Sequence, residues 1–251
     1  MKKWIILCLF ILPLSRLAAQ DVFVAKGKIE FEKSFSIHRS AEALAEADPD
    51  AQSYADYIKQ NAPAVAKSYF DLYFDGTKTM YKEGREAPEK VEQWCLPPCQ
   101  DNIVFTDLEK HQVSSIKNVY ESSFLVQDSL RKIDWRITMD TRNIAGFECQ
   151  KAVGKIMDSV YVIAFYTDEI LTEGGPESFN GLPGMILGLA IPRIQTTWFA
   201  TKLELTPVKA EDLAEPKKGK KINSKELLLQ LKDVMKNWGR WGQRNIWNIM
   251  I

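Results

Sequence analysis

Alternation of apolar and polar residues sets the character of the chain. From Gly27 to Ile37, residues Ile29, Phe31, Phe35 and Ile37 share one face, and Lys28, Glu30, Glu32 and Ser34 share the other. That two-residue period belongs to a half-buried strand. Residues 40–61 lose the period and become alanine-rich and charged, with a break at Asp48-Pro49-Asp50. A helical insertion is expected there, its second helix N-capped by Asp50. Alternation returns from Ser68 to Phe74, and Asp75-Gly76 links it to Thr77–Tyr81, a hairpin signal. Ile103–Phe105, Val113–Tyr120, Phe124–Val126, Ile133–Ile137, Ile144–Val153, Ser159–Thr167 and Thr196–Leu205 read as further strands, with a short link at Met157-Asp158. Ser159–Thr167 is apolar on both faces apart from its tyrosines, as a covered central strand is. The pattern predicts a mainly β (β-rich α+β) protein: one large curved antiparallel sheet, a helical insertion and a C-terminal helix.

Both ends depart from this text. Met1-Lys2-Lys3, the apolar run Trp4–Leu14 and the small residues up to Ala19 predict a signal peptide over 1–19, cleaved after Ala19. The run is too short for a bilayer span, which takes about 20 apolar residues. An exported protein is expected, with a β-rich domain over 20–209 and no transmembrane segment in the processed chain. Residues 210–251 hold a basic linker (Lys217–Lys221), an amphipathic helix from about Ser224 to Asn237 and a tryptophan-rich tail. Asn223 with Glu226 makes a capping arrangement, and Ile222 with Leu227 a hydrophobic staple. Trp238 and Trp241 mark the tail as a docked helix or as an interface-seeking segment.

Charge balances at 33 basic and 33 acidic residues, which leaves no excess to attract nucleic acid. Catalytic motifs are missing, and Asp168-Glu169 cannot act as a dyad, because neighbours on an extended chain face opposite ways. Cys95-Leu96-Pro97-Pro98-Cys99 is the densest candidate chemistry. Extended, its ends lie roughly 13 Å apart, whereas a disulfide needs Cα atoms within about 7 Å. A turn through the prolines would permit a Cys95–Cys99 disulfide. A thiolate metal clip completed by His111 or His38 is the alternative, and Cys149 is a further pairing partner. Residues Gly174–Leu189 hold five glycines and two prolines against an apolar run. Leu182–Met185 reads there as a type II turn, and Gly181, Leu182, Pro183 and Gly184 as a shape-defining corner with a candidate binding role.

Trp135-Arg136-Ile137, then Ile144–Ala152, Phe165–Ile170 and Gly175–Leu187 resemble, in order, the signatures of the GLPGLI family. The six name-giving residues stand here as Gly181–Ile186, with Met185 in the fifth place, a volume-conserving change. Phe147 stands where Tyr is usual and Phe165 where Trp is common. The resemblance covers roughly Leu125 to Leu189. It implies an exported Gram-negative protein, often encoded beside TonB-dependent outer-membrane receptors, with no established activity, cofactor or catalytic residues to carry over. A non-enzymatic binding or accessory module of the periplasm or outer membrane is therefore expected. Its curved sheet, similar in architecture to periplasmic lipoprotein carriers, would offer a lipid, a peptide or an envelope receptor an apolar face. The alternatives are a metal-handling protein using Cys95 and Cys99, and a hydrolase suggested by compartment alone.

Overall fold

The computed structural model describes residues 24–251, so the expected signal peptide lies outside the described residues. In chain order the elements are β1 (Gly27–Ser36), α1 (Ile37–Ala47), α2 (Gln52–Asn61), β2 (Val65–Phe74), β3 (Lys78–Glu83), β4 (Ile103–Asp107), β5 (Gln112–Val119) and β6 (Ser122–Ser129). There follow β7 (Arg136–Ile144), β8 (Phe147–Ile156), β9 (Val160–Thr167), β10 (Met185–Ile191), β11 (Thr196–Glu204), β12 (Lys220–Ile222), α3 (Ser224–Val234) and α4 (Gly239–Met250). The strands form one open sheet ordered β12-β6-β5-β4-β3-β2-β1-β11-β10-β9-β8-β7, antiparallel throughout except for β12 beside β6. No described helix is long and apolar enough to cross a membrane.

The alternation of β1 is realised strictly. Ile29, Phe31 and Phe35 are buried, while Lys28, Glu30, Glu32 and Ser34 lie on the wetter face. Phe70, Leu72 and Phe74 of β2, Val162 and Ala164 of β9, Leu189 of β10 and Trp198 of β11 join Ile29 and Phe31 in the main core. Phe179 and Leu182 of the glycine-rich segment are packed into the same cluster. The apolar face of the sheet is thus filled by the protein's own side chains and does not stand open to a lipid. Two smaller clusters lie beneath α1 and α2 and beneath α3 and α4.

Some local expectations are corrected. The helical insertion starts at Ile37; α2 has no side-chain N-cap, and Asp48 rather than Asp50 caps the short 3-10 turn Pro49–Ala51 before it, its carboxylate accepting from the Asp50 amide at 3.2 Å. Ala145 and Gly146 turn the chain with φ of 52° and 93°, the left-handed pair of a two-residue hairpin. The stretch read as one strand from Ile144 is therefore the end of β7 and the start of β8. Lys220–Ile222, which joins the end of the expected basic linker to the staple residue, pairs with Phe124–Val126. The C-terminal helix ends at Val234, and the tryptophan-rich tail is a separate helix that buries Ile246, Ile249 and Met250.

Candidate functional site

The glycine-rich segment is the connection between β9 and β10, which pair with each other. Backbone bonds fix its course: the Val24 amide donates to Glu169 O at 2.9 Å, and the Ile186 amide to Gly174 O at 2.8 Å. The corner differs from the expected type II turn, since the Gly184 amide donates back to Leu182 O at 2.8 Å and closes a tighter turn around Pro183. Gly184 has φ +135°, and a Cβ there would collide with Thr167 O, so only glycine fits. Leu182 and Gly184 are buried while Gly181 and Pro183 are exposed. The corner is shape, with two of its four residues facing solvent.

The segment also carries a charged side chain that its sequence did not advertise. Glu177 is 2% exposed and sits at φ +59°, followed by Ser178 at φ +121°. Its carboxylate accepts from Asn102 Nδ2 at 2.9 Å and faces Lys33 Nζ at 3.6 Å, both members of the ion pair being buried. Lys33 also donates to Gln100 O at 3.5 Å and lies 5.4 Å and 5.5 Å from the Phe70 and Trp198 ring centroids. Nearby Lys117 is buried, and its Nζ has no hydrogen-bond partner among the described residues; burial lowers its pKa. Burial pushes the Cys99 thiol up to about 11, against the opposing pull of the Lys117 and Lys33 charges. Burial also drives the Tyr81 phenol well above its ordinary value, and the Glu177 charge adds to the effect. The gap among Lys33, Cys99, Asn102, Glu177 and Trp198 is about 10 Å³, room for about one water. The centre pins the glycine-rich segment to β1 and the start of β4, and it is closed to anything larger.

Sequence reasoning missed this centre, although one half of it was legible. Lys33 occupies a core-face position in the otherwise apolar alternation of β1 and demands a buried counter-charge. Nothing in the sequence pairs it with Glu177.

The other candidates are dispersed. Cys95, Cys99 and Cys149 are free thiols, so the expected Cys95–Cys99 disulfide is not formed. Cys95 packs beneath α1 and α2, and Cys99, in a left-handed conformation at φ 60°, packs beneath α3 and α4; the prolines between them send the two thiols into separate clusters. His38 Nε2 lies 2.9 Å from Ala62 O, and His111 stands exposed at the β4–β5 turn. No group of three or more His, Cys, Asp or Glu able to hold a metal occurs among the described residues. Trp241 meets Tyr54 edge-on at 4.9 Å, and Trp238 meets Tyr120 at 6.0 Å while remaining 44% exposed.

An open groove of about 950 Å³ borders the corner. Residues 128–134, from the end of β6 into the link to β7, form one wall, and His111, Asn180, Gly181 and Ser224 complete it. Trp135 Nε1 donates to Asn180 O at 2.9 Å and ties that wall to the glycine-rich segment. Burial opposes ionisation of Asp128, but bonds from Ser129 and from the Ser224 amide hold its pKa below the ordinary carboxylate value. Arg131 donates to Met250 O at 2.7 Å, whereas Lys132 and Asp134 point both signs of charge to solvent. The wall runs straight into β7, the end strand of the sheet, where Met139 is 94% exposed and most residues are open on both faces.

Residues 154–188, from β8 through the corner, match a family model described as a protein of unknown function (Porph_ging). No curated protein matches the sequence significantly. Among solved structures, PNGF-II in its C2 and P21 crystal forms superposes with a TM-score of 0.50 in each, at 15% and 14% identity. The superpositions cover 84% and 85% of this chain but only 33% and 34% of PNGF-II. The chain spans a minor part of that protein's length, and the likeness is one of fold.

Proposed function

We propose that the protein is an exported, non-enzymatic binding module of the GLPGLI type, which seats an extended polypeptide of the cell envelope in the groove and along β7. One observation carries this reading. One edge of the sheet lies in β7, is exposed on both faces, and continues directly from a groove lined by both signs of charge. Strand addition to such an edge uses main-chain hydrogen bonds for affinity and flanking side chains for choice. The bulge between Ile137 and Thr141 limits the pairing to a short strand and guards the edge against open-ended association. Mixed charge in the groove suits a peptide better than a lipid, and the filled core leaves lipid no comparable face.

A binding role also fits the state of the reactive groups. Cys99 and Cys149 are buried with thiols pushed up to about 11 and about 12, and Glu177 is committed to Lys33 and Asn102. Association with a TonB-dependent receptor belongs to the same proposal, since the family resemblance places such receptors nearby. Affinity capture from envelopes tests it, with wild type beside a charge-swapped groove variant, Lys132→Glu with Asp134→Lys. A discrete envelope protein retained by wild type and lost by the variant is expected. Equal recovery by both, or lipid alone, overturns the proposal.

A further inference from the structure

A second cleft, of about 220 Å³, opens between α1, α4 and the corner joining β10 to β11, and it shares no residue with the groove. Arg193 from the corner and Arg240 and Arg244 from α4 converge on it. None of the three has a carboxylate within salt-bridge distance among the described residues. Arg244 spends one donor on Ser40 O at 2.7 Å, and a guanidinium carries five. Ser40, only 2% exposed, also lines the cleft, and its Oγ has no hydrogen-bond partner among the described residues. Leu44 with its α1 alanine neighbours and the Trp247 ring supply apolar wall, and Gln195 and Gln243 complete the lining. Arg193 already lies 5.0 Å from the Trp247 centroid, which holds its planar fork at the mouth.

We propose that this cleft binds a small organic oxyanion, a carboxylate or phosphate monoester carried on a flat apolar body. The guanidinium forks match either head group in bidentate fashion. The Leu44 and Trp247 walls take the body, and the volume excludes a lipid chain or a polymer.

Isothermal titration calorimetry on the full chain freed of its leader tests this, with benzoate, phenyl phosphate, inorganic phosphate and benzyl alcohol as probes. Saturable binding of benzoate or phenyl phosphate is expected, and whichever binds more tightly identifies the head group. Arg240→Ala, an exposed position, should weaken that binding by about tenfold or more at an unchanged melting temperature. No saturable binding of either aromatic anion overturns the proposal, as does an Arg240→Ala variant that binds like wild type. Equal binding of benzyl alcohol overturns the anion requirement, and equal binding of inorganic phosphate overturns the role of the apolar walls.

Discussion

Lys33 and Glu177 show how a residue can be visible while its purpose is not. A lysine on the core face of β1 breaks the alternation, and a buried ammonium is tolerable only beside an opposite charge. Its counter-charge comes from a segment whose glycines and prolines drew all the attention. Glu177→Gln should therefore cost about 3 kcal/mol or more in urea unfolding, because it leaves Lys33 charged and unpaired. The double variant Lys33→Met with Glu177→Leu should recover much of that loss, and strictly additive losses would contradict the pairing. The thiols make a second residue-level test. Cys95, Cys99 and Cys149 should be unreactive toward a thiol reagent in the folded protein, and all three should react on unfolding without reductant. A single reactive thiol would restore the Cys95–Cys99 disulfide that the Cys-Leu-Pro-Pro-Cys spacing suggested.

Period carried the elements where strands alternate cleanly, as in β1, β2 and the hairpin at Asp75-Gly76, where Asp75 Oδ1 accepts from the Thr77 and Lys78 amides at 3.2 Å and 2.9 Å. It failed where a strand has no buried face. β7 is almost wholly exposed, so hydrophobicity could not outline it, and the strand expected over Ile133–Ile137 begins only at Arg136, after the groove wall. The positive φ that Ala145 adopts hid the β7–β8 turn, since alanine gives no turn signal. In the glycine-rich corner, proline and glycine gave the presence of a turn, while its tightness depends on how closely Thr167 approaches. Gly184→Ala should cost about 3 kcal/mol, and Pro183→Ala, at an exposed position, less than about 1 kcal/mol. Equal thermal shifts for the two would contradict this account of the corner.

At the scale of the molecule, the mainly β single sheet with a helical insertion was legible, and the filling of its apolar face was not. A sequence can show that strands bury a face, but not that a distant loop will supply Phe179 and Leu182 to fill it. The buried thiols set the pH response. Cys99 and Cys149 are acids held above their ordinary 9.0, so the folded state keeps protons that the unfolded chain releases. Their contribution is fully present below pH 9.0 and is lost as pH rises through about 11 and about 12. Lys117, a base held low, works in the opposite direction, so a variant must isolate the thiol effect. Cys149→Ala should flatten the alkaline decline of the urea midpoint relative to wild type, and an unchanged slope would contradict it. Export is tested by the protein's own N-terminus, which in the envelope fraction should begin at Gln20; an intact Met1 there would contradict it.

The claim that the groove and β7 form the working surface is tested most directly by photo-crosslinking in intact envelopes. A photoreactive residue is placed at Lys132 or Met139, with exposed Tyr57 of α2 as the control. One discrete polypeptide adduct from positions 132 and 139, and none from 57, is the predicted result. The same adducts from all three positions, or none from 132 and 139, would contradict it.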